Sequence, residues 1–303
     1  MSSSLVEELG DRSRIDYLAT LLAPADRRDA LAAVVLYGHE LAAVPLNVRE
    51  PAAGEIRLQW WAEVVGAERD GEARGHPVAS ALRDAIEVHG LSRDALAEMA
   101  YARSRDLYAD PMPDRETFEA YAGAVRSVPI QLACQVLDPD AAASSADAAG
   151  HAGVFAEATD RLDTLARDRA RARSFLPSDL LLASWASPDD VLDPALATRD
   201  PHAGARIADV ITAFADTHLS LFVEAAGDLP ATLAPAFASA HARTVRLEAL
   251  KEDGVDVLAG VHPRWSDPVR VQRAVHRTAA LFRRPERRSL FGRLRDGLRN
   301  RER

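Results

Sequence analysis

The sequence predicts an all-α protein, one large helical bundle with a wide interior. Three observations lead there. Alanine and leucine recur at helical spacing along nearly the whole chain. Runs of β-branched residues with a period of two are scarce. The stretch 186–202, rich in Asp and Pro, is the best internal boundary, yet the segments on its two sides have the same helical character. It therefore reads as a connection inside one domain, 1–282, which is followed by a basic tail, 283–303. With 303 residues, 48% of them hydrophobic, the chain can bury a core of that size.

Helices are expected over about 13–22, 26–44, 54–70, 76–88, 92–109, 114–137, 145–172, 177–185, 203–226, 230–252 and 268–282. The first is leucine-rich and stops at Pro24, and Arg27-Arg28 stands at the start of the long apolar second. Gly75-His76-Pro77-Val78 opens the fourth. Ser92, following Gly90, caps the fifth. Pro111-Met112-Pro113 ends it, and Asp114 caps the sixth. Asp138-Pro139 and Pro188-Asp189-Asp190 mark further breaks.

Composition narrows the function. A single cysteine, Cys134, excludes an intramolecular disulfide framework and a Cys-based zinc or iron–sulfur site within one chain, and it fits a reducing compartment. Met1-Ser-Ser-Ser has no basic region followed by an apolar core, so no signal peptide is expected. No run approaches about 18 uninterrupted apolar residues, so no spanning helix is expected either. Residues 283–303 carry nine arginines and three acids, a local net of +6, which leaves −15 on the rest of a chain whose net charge is −9. An acidic body disfavours nucleic acid as a partner, and a basic tail with Leu290, Phe291, Leu294 and Leu298 at helical spacing suits an anionic membrane surface or a solvated end. Cytoplasmic placement with peripheral attachment at an inner membrane follows as the expectation. No nucleotide-binding or nucleophile-elbow glycine pattern occurs. None of the nine histidines stands in a metal-ligand spacing with a credible partner.

Several segments carry a more specific pattern. Asp16-Tyr17 leads a leucine-rich helix to Pro24. Arg27-Arg28 precedes the apolar helix that contains Tyr37-Gly38-His39-Glu40. Glu50-Pro51 is followed by Gly54-Glu55-Ile56-Arg57-Leu58-Gln59-Trp60-Trp61. Arg105-Asp106-Leu107-Tyr108 comes before Phe118-Glu119-Ala120-Tyr121, and Arg171-Ala172-Arg173-Ser174-Phe175-Leu176-Pro177 follows. In this order the segments resemble the squalene/phytoene synthase family over about residues 12–182. The resemblance implies an isoprenoid-synthase type of helical fold around a central cavity. It also implies head-to-head prenyl transfer, in which Mg²⁺ held by two Asp-rich motifs neutralises a departing diphosphate.

This chain departs from both motifs. After Tyr37-Gly38-His39 the first motif retains only Glu40, followed by Ala42 and Ala43, with no carboxylate at i+4. At the second, Asp168 survives while Thr164 and Arg167 replace carboxylates; Asp160 and Asp163 lie nearby but out of place for the family. An arginine among metal ligands repels a divalent cation. Mg²⁺ is thus expected only if the chain is active, with Asp168, Asp163 and Asp160 as weak ligands. The erosion resembles a branch of the family that includes bacterial phytoene-synthase-like proteins and mitochondrial complex I assembly factor 6. That resemblance implies a catalytically impaired protein binding a prenyl lipid or prenyl diphosphate, or assisting assembly of a respiratory membrane complex; the alternative is an active prenyltransferase making squalene- or phytoene-like products.

The remaining candidates each have two readings. Tyr17 and Tyr37 belong to a pocket or to the core with an inward hydroxyl bond. Arg27 and Arg28 bind an anionic head group or form a solvated helix start. Trp60 lines a lipid tunnel or sits at the surface beside a buried Trp61. Asp106 is a metal ligand or one acid of a solvated face. Arg57 and Arg173 are expected to pair with interior carboxylates such as Glu40 and Asp168, salt bridges standing in for metal.

Overall fold

The computed structural model describes residues 4–252, 254–260 and 268–282. Every regular element in them is helical, and a β-bridge joins Met112 to Pro177. That bridge is fastened by Ser178, whose backbone N–H and hydroxyl both donate to the Met112 carbonyl, at 2.9 and 2.7 Å. Residues 283–303 lie outside the described part, and so does the expectation placed on them.

Ser92 and Asp114 cap helices as expected, and Ser13 and Asp138 do so as well. The Ser13, Ser92, Asp114 and Asp138 side chains each accept from the backbone N–H three residues on, satisfying donors that a helix start leaves open. Other signals acted without being anticipated. Ser4 and Glu7 form a reciprocal capping box that starts a helix at Leu5–Arg12, and Ser187 and Asp190 form another at Pro188–Leu192. The 186–202 connection therefore contains two short helices, Pro188–Leu192 and Leu196–Arg199.

Several expected helices are subdivided. The 92–109 segment is α-helical over Arg93–Ala102 and tightens to a 3₁₀ turn at Arg103–Leu107. The 114–137 segment splits into Arg115–Ala122, a π-helical turn at Gly123–Ser127, and Val128–Leu137. Pro129 explains the turn, because it has no N–H for the Val125 carbonyl four residues back. The 145–172 segment is Ala146–Asp163 followed, after Thr164, by Leu165–Arg169. The 230–252 segment breaks near Arg243 into Ala234–Ala242 and Thr244–Leu250.

The Arg28–Asn47 helix runs through the N-terminal half of the bundle, packed against Pro77–His89 and Val128–Leu137. Its most apolar window is as long and apolar as a membrane-crossing helix, but half of that window is buried inside the fold. Tyr37 on this helix packs edge-on to Trp61, with ring centroids 5.4 Å apart. The Ala146–Asp163 helix packs most extensively on Ala203–Ala226. Its small residues allow close approach: a Cβ on Gly153 would stand 2.7 Å from the Ser127 backbone nitrogen. These two long helices, Arg28–Asn47 and Ala146–Asp163, both contribute to the wall of one cavity.

Candidate functional site

The cavity has a volume of about 670 Å³, within the range of small-molecule sites. Its apolar walls include Val34, Val35 and Ala43 from one helix, Ala133 and Ile130 from a second, and Ala156 from a third. Its polar side is unusual. Arg103, Arg126, Asp160 and Arg246 line it, and together with Ala42 and Leu46 they also line an adjoining 230 Å³ pocket. That smaller pocket holds seven arginines and four carboxylates.

The charges are bound into a network. Asp160 accepts from Arg126 at 2.9 Å, Arg243 at 2.9 Å and Arg246 at 2.6 Å. Glu157, 1% exposed, accepts from Arg126 at 2.7 Å and Arg161 at 2.6 Å. Buried Asp106 accepts from Arg103 at 2.9 Å, from Arg161 at 3.0 Å and from the Tyr121 hydroxyl at 2.7 Å. The Arg161 guanidinium lies 4.1 Å from the Phe175 ring centroid, a cation–π contact. Burial by itself disfavours the charged carboxylates, but the arginines outweigh it. Glu157 is held well below its ordinary range by Arg161, Arg126 and Arg103; Asp160 is lowered by Arg243, Arg246 and Arg126; and Asp106 is lowered by Arg161 and Arg103. Burial pushes the Tyr121 hydroxyl far up, so it stays protonated and donates to Asp106.

Local backbone geometry presents these groups. The π-helical turn carries Arg126 to the cavity wall. Thr164, which ends the long helix, donates its hydroxyl to Asp168 at 2.9 Å, and Arg167 donates to the other Asp168 oxygen at 3.0 Å. Between Arg171 and Arg173, Ala172 holds a left-handed φ of 54°, a conformation that favours glycine.

The residues present do not fit Mg²⁺. Both Asp168 oxygens accept hydrogen bonds, and Asp160 is surrounded by three guanidinium groups whose charge opposes a divalent cation. No group of three or more His, Cys, Asp or Glu side chains converges as metal ligands among the described residues. Asp163 bonds to Arg246 at 3.2 Å, so it too is part of the arginine network.

The candidates read from sequence fall into three places. Asp106, Asp168 and Arg173 line the small pocket. Glu40, Arg57 and Trp60 line a 300 Å³ groove that has only Ala43 in common with the large cavity. Glu40 and Asp168 thus face different spaces. The expected ion pairs form with other partners: Glu40 binds Arg12 at 2.7 Å, and Asp168 binds Arg167. Arg173 instead donates to the carbonyls of Asp106 and Leu107, fixing the 3₁₀ turn, while Arg57 is exposed on the groove. Trp60 is half-buried and donates to Glu72 at 2.8 Å, beside core Trp61. Tyr17 packs on Gly10, and Tyr37 is a fully buried core residue whose hydroxyl donates to the Leu96 carbonyl at 2.7 Å. Arg28 caps the preceding helix through the Leu21 and Ala23 carbonyls, and Arg27 contacts His89 and Asp26, both away from the cavity lining.

Arg126, Glu157, Arg161, Arg243 and Arg246 escaped the sequence reading. One signal for them exists: Glu157 interrupts Val154-Phe155-Ala156 and Ala158 in a buried run, and a buried carboxylate requires a partner.

A family model for squalene/phytoene synthase matches residues 9–275. The chain belongs to the squalene/phytoene synthase family. Solved members with similar folds include squalene synthase HpnC from Alicyclobacillus acidocaldarius, at a TM-score of 0.63 and 14% identity over 91% of this chain and 93% of that one. A dehydrosqualene synthase in complex with ligand gives a TM-score of 0.68 at 13% identity over 90% and 94%. These likenesses establish the all-α fold of the family. Among relatives, the complex I assembly factor 6 proteins of Bos taurus and Homo sapiens are each 28% identical over 188 residues, 62% of this chain. The match spans 56% of each relative's length, so the chain corresponds to about half of those proteins.

Proposed function

We propose that this protein is a catalytically impaired member of its family that binds a prenyl lipid in the 670 Å³ cavity and assists assembly of a respiratory membrane complex. The observation that carries the impairment is the commitment of Asp168, the one carboxylate left at the second motif, to Thr164 and Arg167, with nearby Asp160 held by three arginines as well. Retention of the apolar walls favours a hydrocarbon occupant even without turnover. The assembly role rests on the matched stretch of the complex I assembly factor 6 relatives. In this reading the protein works as a peripheral protein at a membrane. An active prenyltransferase is the second reading, favoured by the family membership and by the capacity of arginine to offset developing phosphate charge. Mass spectrometry of the lipid extracted with the purified protein tests the binding role. A prenyl lipid is expected. Extracts without any, together with no thermal stabilisation by added farnesol, would contradict it.

A further inference from the structure

We propose that the 230 Å³ pocket is a metal-independent anion site, which takes the phosphate or diphosphate head of an amphiphile whose hydrocarbon chain occupies the adjoining 670 Å³ cavity. The proposal rests on the lipid-binding reading above and adds the chemistry of the head group. The two spaces share Arg103, Arg126 and Arg246, so one molecule with an apolar tail and an anionic head would cross from one to the other past these side chains.

Charge selects the head. Seven arginines against four carboxylates leave an excess of three positive charges, and arginine remains charged at any working pH. The carboxylates do more than offset that charge. Glu157 holds Arg126 and Arg161, and Asp106 holds Arg103 and Arg161, so the guanidinium groups are positioned before any ligand arrives. Two arginines of the pocket make no ion pair with a carboxylate among the described residues. Arg173 donates to backbone carbonyls alone, and Arg171 stands exposed at the pocket with no side-chain hydrogen bond or ion pair. Fork-shaped guanidinium groups match phosphate oxygens, and here they occupy the role that metal ions fill in a carboxylate-lined site.

A consequence of opposite sign separates the two kinds of site. In a carboxylate site Mg²⁺ bridges protein and diphosphate, so binding requires it. In an arginine site Mg²⁺ only neutralises the ligand in solution, so binding persists in chelator and weakens when Mg²⁺ is added.

Isothermal titration of the full chain in EDTA tests this with farnesyl diphosphate, farnesol, inorganic pyrophosphate and dioctanoyl phosphatidate. Farnesyl diphosphate is expected to bind at least about tenfold more tightly than farnesol, and Mg²⁺ to leave that affinity unchanged or reduced. Arg171→Gln, an exposed and unpaired position, is expected to weaken farnesyl diphosphate several-fold and leave farnesol untouched. Tighter binding of dioctanoyl phosphatidate than of farnesyl diphosphate would keep the anion site and assign its head group to a phospholipid. Farnesol binding as tightly as its diphosphate, or diphosphate binding only with Mg²⁺, would overturn the proposal while leaving lipid binding intact. Pyrophosphate binding with no response to any lipid would remove the lipid reading and retain the anion site.

Discussion

Ala172 shows how much a single residue near the site can reveal. Its φ of 54° places a Cβ in the left-handed region, between two arginines of which one, Arg171, lines the pocket without an ion-pair partner among the described residues and the other, Arg173, pins the 3₁₀ turn at Asp106. This conformation is the one glycine suits. Ala172→Gly is therefore expected to stabilise the protein by about 1 kcal/mol, read as a rise in the denaturant midpoint at unchanged slope. Other residues were legible only in part. Tyr37 as a core residue with an inward hydroxyl bond was one of two readings, and Leu96 as its acceptor could not be read because it lies 59 positions away. The same limit hid the arginine network. Arg126 meets Glu157 across 31 positions and Arg243 meets Asp160 across 83, so the charges are visible in the sequence while their pairing depends on the fold.

Elements were the best predicted scale where a long apolar pattern runs unbroken at helical spacing, as at Arg28–Asn47, Pro77–His89 and Ala203–Ala226. They were worst predicted where a helix changes hydrogen-bond register without losing its apolar pattern. Pro129 and the π-helical turn at Gly123–Ser127 are such a case, and the turn is what brings Arg126 to the cavity. The turn also seats against Gly153, whose missing side chain leaves room for the backbone of Ser127. Gly153→Ala puts a Cβ against that backbone, which cannot rotate away as a side chain would. A loss of about 1–3 kcal/mol is expected from overpacking. Thermal denaturation checks it, and a midpoint equal to that of the unchanged protein would show that the two segments can separate at no cost.

The whole molecule stores its site as paired charge, and its stability should depend on pH accordingly. Burial beside His151 lowers His218 to about 4, below the ordinary value of about 6.5. The unfolded chain therefore binds a proton there first, and stability falls as pH drops from about 6.5 to about 4. His241, also lowered by burial, adds to the same stage. Asp106, Glu157 and Asp160 have lowered pKa values, so their contribution is complete above the unfolded value of about 4 and is lost only below it, as pH falls toward their folded values. Denaturation midpoints measured across pH should thus decline in two stages, and His218→Gln should shrink the first while sparing the second. A single decline confined below pH about 4 in the unchanged protein would exclude the histidine stage.

The central claim is that arginines have taken over the place of a metal-dependent diphosphate site, leaving binding without turnover. Its most direct measurement is diphosphate release by the purified protein from farnesyl or geranylgeranyl diphosphate in the presence of Mg²⁺. No release above the protein-free background is expected, because Asp160 is held by three arginines and Asp168 by Thr164 and Arg167. Mg²⁺-dependent release that disappears on Asp168→Ala would contradict the claim and show that one remaining carboxylate wall suffices for ionisation.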